Sequence, residues 1–181
     1  MIVEAIFAGF GGQGVMLIGQ LLSYAAMKEE KNVTWMPSYG PEMRGGTANC
    51  SVVISDEEIA SPVVDNPNLV IAMNLPSLEK FGPKTTKGGT LIINTSLVDK
   101  DLERYPENLN IFKIAATDKA TELGNKMAAN MVALGALIAK NEIVNLETVK
   151  NSLKEVLKGK GEAIIELNKK ALQLGYDLAK K

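Results

Sequence analysis

A short apolar run, Ile2 to Phe10, stops in Gly9-Phe10-Gly11-Gly12-Gln13-Gly14 and passes straight into helical periodicity from Val15. Glycines at 9, 11 and 14 satisfy G-x-G-x-x-G, so the start of the chain is predicted to fold as a strand, a tight turn and a helix N-terminus. Such a turn exposes backbone N–H groups beside the positive end of a helix dipole, where a phosphate or carboxylate is held without a charged side chain. Gly9, Gly11, Gly12, Gln13 and Gly14 are therefore candidate anion-binding residues. The competing reading gives the glycines to chain reversal and close helix-to-sheet approach, and Gln13 to a hydrogen bond near the turn or a helix cap. A dinucleotide site of this kind also needs an acidic residue at the end of the second strand, about 20 residues beyond the turn. The second strand reads Val33 to Met36 before Pro37, with Glu29 and Glu30 ahead of it and Glu42 in the loop beyond. The ribose ligand is missing from its place.

Strand and helix signals alternate along the rest of the chain, the pattern of a single Rossmann-like α/β domain over 1–181, with a largely parallel sheet flanked by helices. Val15, Ile18, Leu21, Leu22, Ala25 and Ala26 recur at helical spacing. Ala48, Cys50, Val52 and Ile54 alternate with Asn49, Ser51 and Val53, which predicts a half-buried strand with Cys50 as a small core residue. Leu69 to Met73, Leu91 to Asn94 and Ile111 to Ala115 read as further strands, and Thr117 to Leu123 as a short helix closed by Gly124-Asn125. Met127 to Lys140 is apolar nearly all round, as in a helix buried between layers or against another subunit, and such a helix favours a partner. Two amphipathic stripes, one behind an Asn145 cap and one after Gly161, predict a helical C-terminal end.

Composition removes whole classes of chemistry. With one cysteine and no histidine, the chain cannot supply an iron–sulfur cluster's thiolates, a zinc site by itself, or a Ser-His-Asp or Cys-His arrangement. Any redox centre it serves is expected on another chain. Net charge is −1 and no long basic cluster occurs, so no nucleic-acid partner is expected. The longest apolar stretch is too short to span a bilayer, and the start lacks a basic signal-peptide region, so a cytoplasmic protein without a membrane partner is expected.

Between the second and third strands lies Ser38-Tyr39-Gly40-Pro41-Glu42-Met43-Arg44-Gly45-Gly46-Thr47. Arg44 can fork onto a carboxylate or phosphate, and Gly45-Gly46 lets a ligand approach the backbone. Equally, Arg44 can pair with Glu42 or with a neighbouring subunit and simply fix the loop's shape.

Taken together, these segments resemble the gamma subunit, or gamma domain, of the thiamine-dependent 2-oxoacid:ferredoxin oxidoreductases. The resemblance rests on Gly9 to Val15, Ser38 to Val52, Pro67 to Met73 leading into Asn74-Leu75-Pro76, Gly124-Asn125 followed by Ala129 to Gly135, and Glu166-Leu167-Asn168. It covers nearly the whole chain, in order. The form P-E-M-R-G-G-T-A-N-C looks like the gamma chains of 2-oxoglutarate and branched-chain enzymes, and the resemblance leans to 2-oxoglutarate. Pyruvate and indolepyruvate relatives tend to differ around the arginine.

This resemblance implies an enzyme that converts a 2-oxoacid and coenzyme A to an acyl-CoA and carbon dioxide, with ferredoxin as electron acceptor. It places thiamine diphosphate, magnesium and 4Fe-4S clusters in alpha, beta and ferredoxin-like partner chains, and none of them firmly in this one. It gives this chain no catalytic residue, a share in assembly, and the coenzyme A side of the site, with Arg44, Gly45 and Gly46 joining the glycine turn. The other class of reading is a stand-alone nucleotide-binding protein on the same sheet, which would purify as a lone monomer that binds NAD.

Overall fold

In the computed structural model, residues 1–39, 47–102 and 105–180 are described. They form, in order, β1 (Ile2–Phe10), α1 (Val15–Lys28), β2 (Asn32–Tyr39), β3 (Thr47–Ser55), β4 (Leu69–Ala72), α2 (Leu75–Phe81), β5 (Thr90–Asn94), β6 (Asn110–Ile114), α3 (Ala116–Glu122), α4 (Ala129–Asn141), α5 (Leu146–Val156) and α6 (Glu162–Lys180). The sheet order is β2-β3-β1-β4-β5-β6. β1, β4, β5 and β6 pair in parallel, whereas β3 runs against both β1 and β2. The sheet is thus mixed and mostly parallel. An antiparallel partner accepts a short connection where a parallel one needs a crossover of a dozen or more residues, and residues 40–46 leave no room for a crossover. β2 extends through Pro37, further than the sequence reading had it, because an edge strand has an unpaired side that tolerates the missing N–H.

Apolar residues on β1 and β4 are sorted by the pleat. Val3, Ala5, Phe7, Leu69 and Ile71 enter one core beneath α1, α4 and α5, while Ile6, Ala8, Val70 and Ala72 enter a second core beneath α2. A strand buried on both faces reads as a continuous apolar run, which is how these two appear in the sequence. β3 also departs from the half-buried expectation, since Val53 is as buried as Val52 and Ile54.

α1 lies on β2 and β3 through Gly19, where a Cβ would stand 2.6 Å from Cys50 Sγ and 2.7 Å from Trp35 Nε1. Cys50 Sγ donates to the Val15 carbonyl at 3.3 Å. Burial pushes the thiol up to about 11, outweighing the nearby N–H groups of Trp35 and Gly19 that favour the thiolate. At pH 8 a thiol-specific chromogenic reagent should therefore find no reactive cysteine in the native protein and one per chain in denaturant. Rapid labelling of the folded chain would contradict this burial.

The expectation that the apolar helix from Met127 favours a partner is corrected here. α4 lies between the sheet and α6, and from Ala129 to Ile138 every residue is buried within the chain itself. A short 3-10 turn, Lys126–Ala128, precedes it with Asn125 Oδ1 accepting from the Met127 amide at 2.9 Å. Among the described residues no helix is long and apolar enough to cross a membrane.

Candidate functional site

The chain reverses at the carboxyl end of β1, where the Gln13 amide donates to the Phe10 carbonyl at 3.1 Å. Gly12 has φ 95° and Gly14 φ 72°, and Gly14 serves as the N-cap of α1 without a side-chain cap. The first turn of α1 holds no acidic residue, so its positive end is uncompensated from within the helix. Gly11 and Gly12 are exposed, and Gln13 and Gly14 are half-buried.

The missing ribose acid follows from topology. The strand beside β1 is β3, not β2, and it enters at this end with Thr47 opposite Phe10 and Ala48 opposite Gly9. The position that carries the acid in a dinucleotide site is therefore displaced one strand outward.

Two of the motif glycines are required by packing. A Cβ on Gly9 would lie 2.7 Å from Gln13 Oε1, and one on Gly14 would strike the Asn130 side chain, whose Cγ is 3.0 Å away. Around Gly12 nothing lies within 4 Å of that position, so its approach is open. Gln13 turns inward instead of capping α1. Its Oε1 accepts from the Phe10 amide at 2.6 Å and from Asn74 Nδ2 at 2.9 Å, and its Nε2 donates to the Met73 carbonyl at 3.3 Å. Asn74 in turn caps α2 by accepting from the Ser77 amide at 3.0 Å. From α4, Asn130 Nδ2 donates to the Gly14 carbonyl at 3.1 Å.

Over this turn opens a mainly apolar cleft of about 260 Å³ between Gly12, Gln13 and Met73 on one side and Leu97, Thr117 and Met127 on the other, with Lys126 among the residues lining it. Leu97 and Met127 are 46% and 58% exposed, large apolar surfaces left uncovered at a crevice outside strand carboxyl ends. Such a place suits a ligand with an apolar body and anionic groups near a cation and backbone N–H donors. Arg44, Gly45 and Gly46 lie outside the described residues. Sequence reasoning missed Asn74, Asn94, Leu97, Thr117, Lys126, Met127 and Asn130. The usable signal was an asparagine closing each of two apolar strands, after Met73 and after Ile93.

Residues 4–178 match the family model for pyruvate ferredoxin/flavodoxin oxidoreductase. The chain is 40% identical over 99% of its length to the ketoisovalerate oxidoreductase subunit VorA of Methanothermobacter marburgensis, but spans only 37% of that protein. It is 37% identical to the 2-oxoglutarate synthase subunit KorC of the same organism, over 97% of this chain and 95% of the relative. Among solved structures, the keto/oxoacid ferredoxin oxidoreductase gamma subunit from Geobacter sulfurreducens superposes with TM-score 0.83 at 31% identity, covering 98% of both chains. A 2-oxoglutarate:ferredoxin oxidoreductase from Magnetococcus marinus, with 2-oxoglutarate, coenzyme A and succinyl-CoA bound, matches with TM-score 0.89 at 27% identity over 99% of this chain and 31% of that one. With the glycine turn, the crevice and a match running from Glu4 almost to the last helix's end, the chain belongs to the pyruvate ferredoxin/flavodoxin oxidoreductase family.

Proposed function

We propose that this chain is the gamma-type subunit of a thiamine-diphosphate-dependent 2-oxoacid:ferredoxin oxidoreductase acting on 2-oxoglutarate. On this reading it works with alpha, beta and ferredoxin-like chains and contributes the coenzyme A side of the shared site. The observation that carries it is the match to KorC over nearly the whole of both chains. The likeness to a coenzyme-A-bound relative supports the ligand. In the reaction the bond to the carboxylate breaks, carbon dioxide leaves, two electrons pass singly to ferredoxin, and the acyl carbon joins the coenzyme A sulfur with release of the thiol proton.

The residues here do not fit the redox centre. Among the described residues there is no group of three His, Cys, Asp or Glu side chains able to hold a metal ion, and the lone thiol is buried. On this reading thiamine diphosphate, magnesium and 4Fe-4S clusters are held by the partner chains, and no step of carbon chemistry is routed through this one. What this chain offers is binding: the exposed turn at Gly11 and Gly12 and the first-turn amides of α1 suit a pyrophosphate, Lys126 suits a phosphate, and Met127 and Leu97 suit an apolar stem. By its chemistry Arg44 suits a second phosphate, and Gly45 and Gly46 carry no side chain to bar a ligand from the backbone.

Arg44→Met in the assembled enzyme should raise the KM for coenzyme A about tenfold while leaving kcat within about twofold, the loss of one charge-assisted contact. An unchanged KM with intact assembly removes the coenzyme role of Arg44, and loss of assembly alone assigns it to architecture. A second reading, the branched-chain enzyme, is favoured by the 40% identity to the ketoisovalerate subunit. Comparing kcat/KM for 2-oxoglutarate and for 3-methyl-2-oxobutanoate on the complex decides between them, and the larger value is expected for 2-oxoglutarate.

A further inference from the structure

We propose that Asn94, buried at the carboxyl end of β5, is the positioning residue that sets the width of the cleft between the Gly12–Gln13 turn and the start of α3. Its effect on the KM for coenzyme A rests on the coenzyme A reading above, but its effect on the cleft does not. Asn94 is fully buried, so it touches no ligand. Its Nδ2 donates to the Met73 carbonyl at 3.1 Å and to Thr117 Oγ1 at 3.0 Å, and its Oδ1 accepts from the Thr117 amide at 3.3 Å. The same Met73 carbonyl accepts from Gln13 Nε2. One carbonyl oxygen, with two lone pairs, thus receives a donor from each side of the cleft. Gln13 and Thr117 are opposing walls, and both line the opening. A continuous polar seam, Phe10–Gln13–Met73–Asn94–Thr117, runs beneath it from β1 across β4 and β5 to α3.

Only an uncharged amide does this. It presents donors toward Met73 and Thr117 and an acceptor toward the Thr117 amide from one planar head, whereas Asp lacks the donors and Leu lacks both. Position 94 continues the apolar run Leu91-Ile92-Ile93, where an aliphatic side chain would fill the space as well. What the amide adds is orientation: it fixes the α3 wall to the same atom on which the turn hangs.

The test is Asn94→Leu in the assembled complex, with Thr117→Val as the milder change that removes one bond of the seam and keeps the side-chain volume. Hydrogen exchange at the Gln13 and Thr117 amides should speed about tenfold while amides of α6 keep their protection, as expected when a buried bond is lost locally. The KM for coenzyme A should rise about fivefold to tenfold, with kcat and the KM for the 2-oxoacid within about twofold. Unchanged exchange at both amides, or a uniform rise that includes α6, overturns the proposal. Should Asn94→Leu yield no complex, Thr117→Val decides by the same readouts. Lys126→Ala, at the cleft, separates the two ideas. If it leaves the KM for coenzyme A unchanged while Asn94→Leu loosens the walls, the coenzyme reading fails and the seam stands. If it raises that KM while Asn94→Leu changes neither exchange nor KM, the seam fails.

Discussion

Replacing Gly175 by alanine should destabilise the protein by about 3 kcal/mol or more, a shift of roughly 10 °C in the melting midpoint for a chain of this size. Helix propensity alone argues the other way, since alanine in a helix interior is favoured over glycine by about 1 kcal/mol. Packing decides the sign. A Cβ at Gly175 would collide with the Val132 carbonyl oxygen and stand 2.7 Å from its carbonyl carbon, both backbone atoms that cannot rotate away. The contact is reciprocal, because a Cβ at Gly135 would collide with the Leu172 carbonyl oxygen and stand 2.9 Å from the Tyr176 nitrogen. Relief requires α6 to move away from α4, which would uncover Val132 and Leu172, both fully buried. Gly159→Ala is the matched control: nothing lies near its Cβ position, and only its φ of 88° resists the change. It should cost about 1 kcal/mol. Urea unfolding of the two variants measures the difference, and equal midpoints would show that α4 and α6 do not meet through these glycines.

That same contact marks a limit of reading the chain without its fold. Met127 to Lys140 looks partner-seeking in isolation because its apolar residues surround the helix, and one chain has few surfaces wide enough to cover them. The cover is α6, and the trace in the sequence was a glycine inside each of two helical patterns, a spacing that carries no meaning until the helices are opposed. By contrast, signals that act locally were legible. The Gly9 to Gly14 spacing gave strand, turn and helix, and the Asn145 cap is present, its Oδ1 accepting from the Glu147 amide at 2.8 Å. The direction of β3 was not legible, because pairing sense is chosen by the whole sheet and only the short connector hints at it. Nor were the buried asparagines: Asn74, Asn94 and Asn130 stand at or near element ends, where polar residues usually meet water. They are buried because the ends of β1, β4 and β5 converge on one turn. Of the roles the sequence allowed Gln13, a ligand contact, a helix cap or a hydrogen bond near the turn, the structure shows the last, its amide holding that turn.

Gly14→Ala should destabilise by about 3 kcal/mol, and it distinguishes a glycine kept for a ligand from one kept for the fold. Two effects add. With φ at 72°, any Cβ meets the left-handed penalty of about 1–2 kcal/mol. The new methyl would also strike Asn130, which is 2% exposed and held by donating to the Gly14 carbonyl and accepting from the Met131 amide at 2.9 Å. Asn130→Ala alone loses the bond to Gly14 and leaves a small void, for about 1–2 kcal/mol. In the double variant the clash disappears but the backbone penalty remains. The pair should therefore be less destabilising than the sum of the singles by about 1–2 kcal/mol, the coupling expected of residues in direct contact. Additivity within about 0.5 kcal/mol would mean that the methyl never meets Asn130 and that the left-handed backbone, not packing against α4, is the fold's reason for glycine at 14. Gly12 offers the complementary probe. Its Cβ position is open, so Gly12→Ala incurs the backbone penalty alone, and a larger rise in the KM for coenzyme A there than for an equally destabilising change at Gly159 would assign the exposed part of the turn to the ligand.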